Sequence, residues 1–142
     1  MYTSDIEVNS KKALKTAFLY LFIALFCVLF GAVYELYSHE VYSFYMIYAF
    51  VFPLIGGTLP FMILSLERTK KYPNAIARNL YHSGIATLTV GSVVRGVLEI
   101  YGTTNTMADY YWPVGILLAF LGLLIYVVAA LTEHIKERST EL

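Results

Sequence analysis

Residues 77–102 read Ala77-Arg-Asn-Leu-Tyr-His-Ser-Gly-Ile-Ala-Thr-Leu-Thr-Val-Gly-Ser-Val-Val-Arg-Gly-Val-Leu-Glu-Ile-Tyr-Gly102. A helix needs about 20 apolar residues to cross the hydrocarbon core of a bilayer, and this stretch is long enough. It nevertheless carries Arg95, Glu99, His82 and a run of Gly, Ser and Thr. At about 100° per residue, Gly84, Leu88, Gly91, Arg95 and Gly102 fall within roughly 40° of one line. Thr87, Leu98, Tyr81 and Glu99 flank that line, and His82, Thr89, Ser92 and Gly96 occupy the next sector. Only Ala86, Val90, Val93, Val94 and Val97 are left for lipid. A helix that is small and polar over most of its girth has to be surrounded by protein, so this span is expected at the centre of a bundle.

Three further apolar runs lie outside it. The 142 residues are 58% hydrophobic and only 14% charged, with a mean hydropathy of +0.64. Soluble domains average about 25% charge. A chain this poor in charge cannot cover itself in water, and lipid is the alternative solvent. The spans expected are about 13–37, 41–66, 77–101 and 112–132, following a polar, mobile stretch at residues 1–12. The fold class is an all-α membrane protein, a single four-helix domain with short connections and antiparallel neighbours. The first span is too long for the h-region of a cleaved signal and no Ala-x-Ala-like site follows it, so it is expected to be retained.

In the first span, Ala17, Tyr20, Ala24, Cys27, Gly31 and Tyr34 recur at steps of 3 and 4, the spacing of one packed helix face. In the fourth span, Gly115, Ala119, Gly122, Tyr126 and Ala129 do the same. Small side chains let membrane helices approach closely, which is how they gain contact energy among lipid tails. The second span contains Pro53, Gly56, Gly57 and Pro60. Pro53 cannot donate to the carbonyl of Ala49, nor Pro60 to that of Gly56, so a break is expected here. It is either a proline kink or a broken helix whose freed carbonyls take a cation or polar ligand.

Of the ten basic residues, nine lie in the N-terminal flank (Lys11, Lys12, Lys15), around the middle loop (Arg68, Lys70, Lys71, Arg78) or in the tail (Lys136, Arg138). The positive-inside rule places these segments, and both termini, in the cytoplasm of a plasma or inner membrane. Tyr34, Tyr37, Tyr42, Tyr45, Tyr101, Tyr110, Tyr111 and Trp112 then form an outer aromatic belt. Arg95 is the one basic residue on the outer side, against Glu35, Glu40, Glu99 and Asp109. An unpaired arginine in the hydrocarbon costs at least about 2.5 kcal/mol. Glu99, one turn outward, is its expected partner, with Glu35 and Asp109 as alternatives.

The candidate ligand or ion-pair site is therefore Arg95, Glu99, Thr87, Ser92 and Gly91, with the second-span break beside it. No catalytic set, metal site or cofactor is expected. The pattern offers no Cys pair, Gly-rich phosphate loop, H-E-x-x-H or Ser/His/Asp spacing, and His82 and His134 stand without companion ligands. Zero net charge gives no argument for nucleic acid. The expected partners are the bilayer and either further copies of the chain or another membrane protein. Three functional classes remain. The first is a non-enzymatic accessory, regulatory or scaffold subunit acting through helix–helix contacts. The second is an oligomeric transporter or channel for small solutes or ions, using the broken second span and polar third span. The third, more distant, is a membrane enzyme on a lipid-like substrate.

Overall fold

The computed structural model describes residues 2–66 and 72–142. Arg68, Lys70 and Lys71, on which part of the threading argument rests, lie outside the described residues. Every regular element among the described residues is helical, and four helices are long and apolar enough to cross a membrane. The first span is α1, Tyr2–Leu36. The second comes in pieces: α2 (Phe44–Ile47), α3 (Val51–Pro53), a π-helical turn (Leu54–Thr58) and α4 (Leu59–Leu66). The third is α5, Ala75–Ile100, and the fourth is α6, Tyr111–Glu141, entered through a 3-10 turn at Thr106–Tyr110.

The polar stretch up to residue 12 is helical from Tyr2 onward. Helix α1 thus begins well before the apolar run that opens at Ala13. Charge spacing supports the extension, with Glu7 and Lys11 paired at i,i+4 and 3.7 Å apart. The Ser10 hydroxyl donates across to the Ser65 carbonyl at 2.8 Å, tying the start of α1 to the end of α4. At the other terminus α6 runs on to Glu141, well past Thr132.

Both small-residue seams turn inward. Ala17, Tyr20, Ala24, Cys27 and Gly31 are all buried, with Tyr34 half-buried at the end of the row. This face packs on the second span, and Gly31 lies against the Met46 carbonyl. On α6, Gly115 and Gly122 are buried and Ala119 half-buried, while Leu117, Phe120 and Leu124 point outward. The α5–α6 contact is the most extensive in the molecule. A Cβ on Gly84 would lie 2.3 Å from the Ala119 backbone nitrogen, and one on Gly122 would lie 2.7 Å from the Ala77 carbonyl oxygen. Only glycine permits helices this close.

The packing order follows the chain: α1 on the second span, the second span on α5, α5 on α6. Among the described residues the backbones of α1 and α6 do not meet, and neither do those of the second span and α6. Helix α5 is thus interior, and buries Ala77, Gly84, Ile85, Leu88, Thr89, Gly91, Ser92 and Gly96. Its most exposed stripe includes Ala86 and Val90, two of the residues assigned to lipid from the helical wheel.

The second span breaks as its prolines require. Helix α2 ends at Ile47, three turn residues follow, and the helix re-forms just before Pro53. At Leu54–Thr58 it widens to i→i+5 bonding, with Leu59 N–H donating to the Leu54 carbonyl. The widened turn presents Gly56 and Gly57 to their neighbours. Tyr20 fills the space where a Gly57 side chain would be, and Ile85 does so for Gly56.

Candidate functional site

Two polar clusters sit on α5, one toward its Ala75 end, here the inner end, and one toward its Ile100 end, here the outer end. They are 13 residues apart, His82 to Arg95, or about 20 Å along the helix at 1.5 Å per residue.

The outer cluster forms around Arg95. The 3-10 turn is capped by Asn105, whose side chain accepts from Met107 N–H at 2.9 Å, and this folds the connection back over the end of α5. Asp109 is thereby carried to Arg95 and forms its ion pair. The Arg95 guanidinium also lies 5.0 Å from the centre of the Tyr45 ring. Glu99 is not the partner expected for Arg95. It accepts instead from the Ser43 hydroxyl at 2.6 Å. Ser43 is fully buried and stands at the N-cap of α2, but its hydroxyl is given to Glu99 and not to the helix end. This bond joins the second span to α5. Arg95, Glu99, Asp109, Asn105 and Thr103 border a cavity of about 230 Å³.

The other residues of the expected site do not join this cavity. Ser92 is buried and donates to the Tyr45 carbonyl at 2.7 Å, another tie between α5 and the second span. Gly91 is buried beneath Tyr111. Thr87 turns back on its own helix and donates to the Ser83 carbonyl at 2.7 Å. It is eight residues below Arg95, about 12 Å along the axis.

The inner cluster lies beside the second-span break. Tyr20 from α1 is hydrogen-bonded to His82 Nδ1 from α5. Phe61 stacks on both, with ring centres 5.9 Å from Tyr20 and 5.3 Å from His82. Tyr81 meets Phe61 edge-on at 6.4 Å, and its hydroxyl donates to the Gly56 carbonyl at 2.5 Å. Gly56 is the residue whose α-helical donor Pro60 removes. A carbonyl that would otherwise be offered to a ligand is therefore held by a protein hydroxyl. Sequence reasoning noted His82 but not its partners. The signal was present in the seam position of Tyr20, the one polar-tipped residue in the inner half of the α1 seam.

Tyr20 and His82 bridge α1 and α5, whose backbones do not otherwise meet. They border a cleft of about 380 Å³ that extends as far as Thr89 and Val90. The outer cavity begins at Arg95. Along α5 from Gly91 to Gly96 the packing is close: Tyr111 lies over Gly91, Ser92 is buried, and Met46, 1% exposed, is wedged against Gly96 and Gly31. Chemically, the outer cluster offers one guanidinium and two carboxylates to a small polar group. The inner one offers a phenol–imidazole pair in an aromatic setting. Among the described residues no three His, Cys, Asp or Glu side chains gather as metal ligands would. Comparison of the chain with protein families, with curated proteins and with solved structures finds no match.

Proposed function

We propose that the protein spans a plasma or inner membrane four times, with both termini in the cytoplasm, as a non-enzymatic accessory, regulatory or scaffold subunit. It acts through helix–helix contacts with a larger membrane protein. The observation that carries this reading is the close packing of α5 beside its two polar clusters. Tyr111 lies over Gly91, Ser92 is buried, and Met46 is wedged against Gly96. Glycines that might have opened a path are used to bring helices together: Gly84 on Ala119, Gly96 on Met46, Gly57 on Tyr20. The broken second span, the strongest sequence argument for transport, has its Gly56 carbonyl engaged by Tyr81. The edge helices leave long apolar faces uncovered. Phe22, Phe26 and Leu29 on α1, and Leu117, Phe120 and Leu124 on α6, are open to lipid or to a partner.

Transport by an oligomer is the second reading, favoured by the outer cavity at Arg95, Asp109 and Glu99. A photo-crosslinking residue placed at Leu117 or Phe120 in intact cells separates the two. A subunit gives a discrete adduct with one larger membrane protein. Adducts with further copies of the chain alone, together with flux through the purified protein, would support the transporter instead.

A further inference from the structure

The packing order leaves a slot between α4 and α6, because α6 is drawn onto α5 and its backbone does not meet that of α4. Gly122 sets this geometry, since its missing side chain lets α6 lie directly on Ala77 and Tyr81. The slot has a volume of about 320 Å³. Buried Phe61 and Ala77 lie within it, with Leu64 on one wall and Leu123 on the other. Its mouth is different in kind. Arg78 stands there on the first turn of α5, with its guanidinium 5.4 Å from the centre of the Tyr72 ring. The end of α5 itself is already capped, as Asn74 accepts from Ala77 N–H at 2.8 Å. Arg78 is thus the group available to an anion.

We propose that this slot binds one acyl chain of an anionic phospholipid, with the phosphate held at Arg78. The chemistry selects the ligand. An apolar slot open to the bilayer takes a hydrocarbon chain, and a basic residue at the cytoplasmic rim takes an anionic headgroup. The larger cleft between α1 and α5 has no lysine or arginine in its lining, so it lacks the second half of such a site. The proposal rests on the membrane-spanning reading with the start of α5 at the cytoplasmic face, and it is independent of the partner's identity.

The test is native mass spectrometry of the full chain in dodecyl maltoside, titrated with dioleoyl phosphatidylglycerol, dioleoyl phosphatidylcholine or glycerol 3-phosphate. One phosphatidylglycerol is expected to bind in preference to phosphatidylcholine, and glycerol 3-phosphate is expected not to be retained. Arg78→Gln should weaken phosphatidylglycerol about fivefold and leave phosphatidylcholine unchanged. Arg78→Lys should keep most of the preference, and Leu123→Trp, which fills the slot, should weaken both lipids. The proposal fails if both lipids bind the native chain equally, or if Arg78→Gln and Leu123→Trp bind phosphatidylglycerol as the native chain does. Retention of glycerol 3-phosphate as tight as that of the lipid would also overturn it. Should Arg78→Gln lose its helical circular dichroism, Arg78→Lys and Leu123→Trp decide the matter. Lost lipid preference with α6 cross-links to the partner intact removes the lipid site alone. Extraction of the chain from membranes by alkaline carbonate removes the membrane reading along with it.

Discussion

Tyr81→Phe removes one hydroxyl and leaves the ring against Phe61. The hydroxyl is the donor to the Gly56 carbonyl, and Pro60 has no N–H to replace it. A lost hydrogen bond of this kind costs about 1 kcal/mol net. Interhelical polar contacts in membrane proteins average about 0.6 kcal/mol and reach about 1.7. The expected loss is therefore about 1 kcal/mol. What ties this loss to the proline is a double-mutant cycle. In a Pro60→Ala background the new amide at i+4 can serve Gly56, so the same tyrosine change should cost less than about 0.3 kcal/mol, a coupling of about 0.7 kcal/mol against the roughly 0.3–0.5 kcal/mol within which independent changes add. The assay is equilibrium unfolding in mixed dodecyl maltoside and dodecyl sulfate micelles, followed by Trp112 fluorescence. Trp112 lies edge-on to Tyr45 at 6.1 Å and to Phe52 at 5.4 Å, so it reports on the second span leaving α6. Equal cost in both backgrounds, or no cost in the native one, would refute the claim that Tyr81 replaces the donor that Pro60 lacks.

Further expectations follow from individual contacts. Gly84→Ala places a methyl within 2.7 Å of the Ala119 backbone, and the overpacking should cost about 1–3 kcal/mol in the same unfolding assay. Gly102→Ala meets no neighbour but sits at a φ of +69°, so it should cost about 1 kcal/mol through backbone conformation alone. Asp109→Asn should destabilise by less than about 1 kcal/mol, and the loss should shrink in high salt, because the Arg95–Asp109 pair is 36% and 58% exposed. Thr87→Val should fall within about 0.5 kcal/mol of the native chain, since its hydroxyl serves only its own helix.

The helical architecture was legible because lipid imposes a simple rule on sequence. A face of small residues at steps of 3 and 4 has no reason to exist unless it packs, and the row from Ala17 to Gly31 is buried. The wheel likewise identified α5 as interior from its narrow apolar arc. The Arg95 pairing was legible only as an alternative, with Asp109 placed behind Glu99. Periodicity finds neighbours one turn away, such as Glu99, but it does not see a 3-10 turn fold Asp109 back onto the helix. Nor did it see that Ser43, on another span, would take Glu99. Thr87 was grouped with Arg95 because a wheel shows angle and hides height. The extension of α1 to Tyr2 was missed for a related reason, because polarity marks where the apolar stretch ends but not where the helix ends. Tyr20 and His82 each look unremarkable alone, and only the packing order brings α1 to the edge of α5.

The most direct test of a chain that acts by packing and not by conduction is flux through the purified protein. Vesicles of phosphatidylcholine and phosphatidylglycerol carrying the protein would be assayed for protons, sodium, potassium and a radiolabelled amino-acid mixture. With Tyr111 packed over Gly91, Ser92 buried and Met46 wedged against Gly96, permeation should equal that of protein-free vesicles. A saturable flux that Arg95→Ala abolishes, in a variant that keeps its helical content and its unfolding midpoint, would contradict the proposed role.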